Sequence, residues 1–205
     1  MPGLRNLVPP IFSCILLLSS SCAPTEDEVI TADNVKREGS PGVFLDSAVG
    51  GVDYYTSSRL GGVTDSSGTF YYNPGDQVSF TIGGISLGSV TGATKLTPVE
   101  VMGASGTADQ KVINLSRLLQ TLDADGDPSN GINITTATKT TLQSKSVDFD
   151  VSVDSFDNAT KSVTAAVGKT MVSATKAIKH LHSTLNDQGL SSKVASDVDL
   201  QRVSS

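Results

Sequence analysis

Asp123, Asp125 and Asp127 put three carboxylates at alternate positions of one short run, Asp123-Ala124-Asp125-Gly126-Asp127-Pro128-Ser129-Asn130-Gly131. The Asn130 amide oxygen follows close behind. Alternate residues of a turning loop converge on one side, and calcium takes six to eight hard oxygens. Asp123, Asp125, Asp127 and Asn130 are therefore a candidate calcium site, and calcium is the one cofactor the sequence suggests. The run departs from an EF-hand loop, which has glycine sixth and a bidentate glutamate twelfth; Pro128 and Ile134 hold those places. The alternative is a solvated acidic loop that stops the helix before it. Asp148 and Asp150 lie two apart, and on a strand they would share a face, as a glycosidase pair does. A polar strand face is the plainer explanation. His180 and His182 are the only histidines. Two apart on a helix they do not face each other, so no shared metal is expected. His180 is expected on the surface and His182 beside the apolar stripe. There is no Gly-x-Ser-x-Gly elbow, and no serine stands in a context that suggests a base. A triad assembled from distant residues leaves no such mark. No catalytic residue is assigned, and a non-enzymatic protein is expected.

Cys22 is the other reactive side chain. Residues 1–21 read as a signal peptide: Arg5 is the positive start, and Ile11, Phe12, Ile15, Leu16, Leu17 and Leu18 form a short apolar core. That core is too short to span a bilayer. Ser19-Ser20-Ser21 before Cys22 resembles a bacterial lipobox, with Ser19 where leucine is usual. The resemblance implies that Cys22 is diacylated on sulfur, cut free and acylated again on its new amine. Two or more acyl chains hold a protein firmly on a membrane, whereas one does not. Ordinary cleavage near Ser21 or Ala23, giving a soluble secreted protein, is the alternative. Cys14 would leave with the signal peptide, so no intramolecular disulfide is expected. Residues 22–42, rich in charge, proline and glycine, read as a flexible tether.

The elements that would position these groups fall into two kinds. Val78, Phe80 and Ile82 alternate with Gln77, Ser79 and Thr81, and Ile85 and Leu87 follow beyond Gly83-Gly84. Two alternating runs joined by a glycine pair predict a tight hairpin. Phe70 and Tyr72 predict another strand, bounded by turns at 65–68 and 73–76; Asp65 and Asp76 are read as turn residues. After Gly103 the period changes. Val112, Leu115, Leu119 and Leu122 make a helical stripe, with Thr107 or Asp109 to cap it. Further helices are predicted over 157–167 and 172–186, a short strand over 132–135 and a helical turn over 136–143. The fold class is therefore α+β: an antiparallel β-sandwich module over 43–102, a helical domain or cap over 103–190, and a disordered tail over 191–205. The net charge of −6 with no basic run argues against nucleic acid and against charge-driven binding to anionic lipid.

Gly62-Val63-Thr64-Asp65, Gly68, Phe70, Tyr72 and Gly75 resemble the transthyretin-like, carboxypeptidase-regulatory-like modules of bacterial surface proteins over residues 43–90. Residues 115–135 with 172–185 resemble the second half of a group of largely uncharacterised bacterial surface lipoproteins. These resemblances imply an Ig-like sandwich and a place at the envelope, not a reaction. The expectation is a lipid-anchored outer-membrane protein, periplasmic or surface-exposed, acting as a binding or structural module in adhesion or cell-surface assembly. Its partners would be the membrane, through the anchor, and a protein or glycan ligand. A periplasm-facing accessory lipoprotein is the alternative, and an enzyme with a site between the two halves is a third.

Overall fold

The computed structural model describes residues 39–196. Cys22, the segment read as a signal peptide and the tether as far as residue 38 lie outside the described residues. So does the tail beyond 196.

The alternating runs become strands with the expected faces. In β6, Gln77–Ile82, the side chains of Val78, Phe80 and Ile82 are buried. Its partner β7, Ile85–Thr91, follows the Gly83-Gly84 turn. Gly83 has a φ of +59°, as a tight turn requires. The pair has a second use: an added Cβ would lie 2.4 Å from the Lys139 carbonyl oxygen at Gly83 and 2.3 Å from that of Gln143 at Gly84. Glycine lets the backbone around 139–143 lie directly on the hairpin. Strands β3, Asp53–Thr56, and β4, Gly61–Val63, complete an antiparallel sheet of order β4-β3-β6-β7. A second sheet has β1, Ser40–Phe44, at its centre, antiparallel to β5, Thr69–Tyr72, and parallel to β8, Lys95–Leu96. A short parallel pair joins β2, Val49–Gly50, to β9, Ile132–Asn133. Aromatic rings cross between the two larger sheets: Phe44 stacks on Phe80 at 4.9 Å, and Phe70 meets Phe80 edge-on at 5.3 Å.

Six α-helices accompany the strands among the described residues, and the protein is mixed α+β. α1, Pro98–Val101, starts from a capping box in which Thr97 and Glu100 satisfy each other's backbone ends. α2, Gln110–Leu122, is capped by Asp109, whose Oδ1 accepts from the Lys111 amide at 2.8 Å. The stripe read on α2 is only part of its burial, for every residue from Val112 to Leu122 is buried. Leu115, Leu118, Leu119 and Leu122 enter the same apolar cluster as Phe44 and Phe80, each worth about 1.5–3 kcal/mol. Two of the buried polar side chains of α2 serve the backbone of neighbouring segments. Asn114 Nδ2 donates to the Phe149 and Val151 carbonyls, and Arg117 donates to those of Val153 and Val172. Buried polar groups need such partners.

The later helices follow the sequence with one change. α3 is Thr136–Thr141. The helix expected over 157–167 is two, α4 at Phe156–Ala159 and α5 at Lys161–Val167. They break at Thr160, whose buried hydroxyl donates to the Phe156 carbonyl at 2.6 Å. Threonine bonding back to i−4 bends helices. α6, Ala174–Asp187, is capped by Ser173 and buries Ala177, Ile178, Leu181 and Leu185. Residues 191–196, the start of the segment read as a tail, are held by Thr107: its amide donates to the Lys193 carbonyl, and its hydroxyl accepts from the Ala195 amide. Lys193 also pairs with Glu100.

Candidate functional site

The chain reverses directly after β1, and Leu45 bridges back to Ala48. Ser47 sits in this turn with a φ of +58°, in the left-handed region. A side chain there costs about 1–2 kcal/mol, so the surroundings must hold it. One face of α6 does so. His180 and Thr184 are four apart on that helix and point the same way. The Ser47 amide donates to Thr184 Oγ1 at 3.1 Å, and Ser47 Oγ lies 3.0 Å from His180 Nε2. The imidazole also donates to the Asp46 main-chain carbonyl. Burial pulls His180 below its usual pKa, against the pull of the Asp46 main chain. Ser47 is partly buried and borders an open groove of about 570 Å³. Val43 and Leu45 supply apolar surface to that groove; Ser66, Ser67 and Ser129 supply hydroxyls, and Lys95 a positive charge. His180 does not line it and stands behind the serine.

Asp46 turns the other way, into the protein, and is fully buried. Burial pushes its carboxyl up to about 7, against the pull of Gln120 and Ser116 beside it. Gln120 Nε2 reaches its oxygens at 3.2 and 3.4 Å and the Ala177 carbonyl at 3.1 Å. One turn thus joins β1 to α2 through Asp46 and to α6 through Ser47.

The acidic run is a loop between α2 and β9, closed by its own hydrogen bonds. Asp125 Oδ1 accepts from the Asp127 amide at 2.9 Å, and Oδ2 from Asn130 Nδ2 at 2.9 Å. Asp127 Oδ1 accepts from both the amide and the hydroxyl of Ser129. These bonds hold both carboxyls below their usual range. Asp123 differs. It is fully buried; Oδ1 accepts from the Asn133 amide at 2.8 Å, while Oδ2 is buried with no hydrogen-bond partner. Burial first, and then the neighbouring Asp125 carboxylate, raise its pKa. Lys169 donates its ammonium to the Asp123 carbonyl. Among the described residues no group of three or more histidine, cysteine or acidic side chains is placed to hold a metal ion.

The other sequence candidates go separate ways. The run holding Asp148 and Asp150 is not a strand. Asp148 Oδ1 caps the Asp150 amide at 2.9 Å, and Asp150 Oδ1 accepts from Gln110 Nε2 at 2.9 Å. This Asx turn leaves them no shared face. Asp65 and Asp76 are turn residues, as expected. Asp65 Oδ1 accepts from the amides of Ser67 and Thr69, both at 2.9 Å. Burial pushes the Asp76 carboxyl up, but bonds from Ser58, Asn73 and Ser57 outweigh it and hold the group at about 2. His182 meets Thr107 Oγ1 through Nε2 at 2.7 Å, away from His180. His180 is not the surface histidine expected of it, because its side of α6 is covered by the turn after β1.

No family model, no curated protein and no solved structure matches the chain.

Proposed function

We propose that this chain is a lipid-anchored protein of the bacterial outer membrane whose folded part is a binding or structural module, working in surface attachment or a cell-surface assembly. The observation that carries the binding role is the open groove beside the turn after β1. Its apolar patch, with hydroxyls, the Lys95 cation and the Asp187 carboxylate around it, suits a protein segment or a glycan better than a small apolar ligand. Cys22, behind Ser19-Ser20-Ser21 and a short apolar run, supports the anchor. None of the described helices is long and apolar enough to cross a membrane. The ring contacts between the two larger sheets support a sandwich as the frame of the module.

Protease treatment of intact cells, with a Cys22→Ala control, tests the proposal. Digestion in intact cells is the expected result for a surface module. Protection until the outer membrane is breached would favour a periplasm-facing accessory role. Membrane retention of Cys22→Ala would overturn the anchor.

A further inference from the structure

The turn after β1 holds more than a passive binding surface needs. We propose that Ser47 is a nucleophile with His180 as its base, able to accept the acyl group of a carboxylic ester bound in the groove. The inference goes beyond the binding module and does not depend on the anchor.

Two features of the geometry converge on it. Ser47 is one of only two non-glycine residues with positive φ among the described residues, the other being Arg59. Strain of this kind collects where a side chain must be aimed. Ser47 Oγ and His180 Nε2 are 3.0 Å apart, within the reach a nucleophile and its base require. With the proton on Nδ1, Nε2 presents its lone pair to the Ser47 hydroxyl, and the Asp46 main chain lies against the same ring. If the contact served only to dock the turn on α6, the Ser47 amide on Thr184 would already do so. Ser47 lines the groove and His180 does not.

The step balances without a further reactant. His180 Nε2 takes the Ser47 proton while Oγ bonds to the acyl carbon. The ester C–O bond then breaks, and the alcohol leaves with the proton returned by His180. Water releases the acyl group from Ser47 by the same route. Lys95, whose Nζ donates to the Gln188 carbonyl at 3.1 Å, is the only cation lining the groove, and the Asp187 carboxylate lines it as well. The hydroxyl-lined groove points to a small acyl group on a polar, hydroxylated carrier. The charged groups acting on His180 are Lys176 on its own helix and Asp123 and Asp127 from the acidic loop.

The test is labelling of the full chain in detergent with a fluorophosphonate probe, read by peptide mass spectrometry, beside p-nitrophenyl acetate turnover. One adduct is expected, on Ser47, absent after heat denaturation and absent in Ser47→Ala. His180→Gln should slow labelling about 100-fold. The wild-type rate should rise with pH through a midpoint below 6.5, the ordinary value for histidine, and this step should vanish in His180→Gln. No adduct on Ser47 at pH 8 would overturn the proposal. So would a labelling rate indifferent to His180→Gln in a variant that keeps its melting temperature. If that variant does not fold, the wild-type adduct and its pH profile still decide.

Discussion

At the scale of single residues, Asp46 sets a pH dependence that can be worked out in sign. Burial pushes its carboxyl from 3.8 to about 7, so the folded chain holds this proton more tightly than the unfolded chain. Its contribution is complete below about pH 4 and is lost as the pH rises towards about 7. The full shift corresponds to about 4 kcal/mol. His180 acts in the opposite sense: its lowered pKa removes stability as the pH falls below 6.5. The difference between wild type and Asp46→Asn therefore isolates the acid. Urea unfolding at successive pH values should show the variant gaining on wild type between pH 4 and 7, and at least as stable at pH 8. A constant difference would mean that Asp46 stays ionised. Arg117 carries a second prediction. Its guanidinium serves the Val153 and Val172 carbonyls, pairs with Asp157 and lies over the Phe156 ring at 5.5 Å. Lysine is a point charge and cannot reach all four, so Arg117→Lys should lose about 2–3 kcal/mol in urea unfolding. Neither role was legible in the sequence. Asp46-Ser47 carries no local motif, and its partners Gln120 and His180 lie far along the chain. The trace that singles out Ser47 is a positive φ, which a serine does not announce.

At the scale of elements the sequence was more informative. Alternation marked β6 and β7, and Asp109 is one of the two residues read as the cap of α2, because each signal is local. Thr97-Pro98-Val99-Glu100 carries an equally local capping-box signature, but α1 is a single turn and has no helical period to accompany it. The polar face of α2 was illegible for a different reason: Asn114, Arg117 and Gln120 are buried against segments distant in sequence, Gln120 against α6 and the turn after β1, and composition alone suggests a solvated face. The acidic loop offers a test between its two readings. Asp125 and Asp127 already spend oxygens on the loop's own amides, while Asp123 Oδ2 has no hydrogen-bond partner and neighbours the Asp125 carboxylate. Without an ion, Asp123→Asn keeps an oxygen for the Asn133 amide and replaces a repelled charge with a donor. It should then melt a few degrees higher at pH 7, by about 1 kcal/mol. With calcium bound, the same change would remove a ligand, and the variant would melt lower and lose its response to chelator. Melting wild type and variant with and without EDTA separates the two.

At the scale of the molecule, strands and helices depend on one another. Leu115, Leu118, Leu119 and Leu122 of α2 lie in the same cluster as Phe44, Phe70 and Phe80 from the two larger sheets. β9, which follows α2, supplies the parallel partner of β2. Asp46 and Ser47 tie the first reversal of the described chain to α2 and α6. Residues 39–196 accordingly fall within one compact unit. The sequence suggested a boundary near 103 because the hydrophobic period changes there from two to 3.6. A change of period marks a change of element type, not the edge of a core. A fragment of residues 39–102 would expose the faces of Phe44, Phe80 and Leu87 that α2 and its neighbours help to bury. It should therefore show poorly dispersed amide resonances and no cooperative unfolding. Residues 39–196 should unfold in one transition, with far-ultraviolet and tyrosine near-ultraviolet signals coincident. A well-dispersed spectrum and a sharp transition from the short fragment would mean that the strands hold themselves together. The Ser47–His180 contact would then be a docking of two independent bodies, and the groove beside it could open without unfolding either.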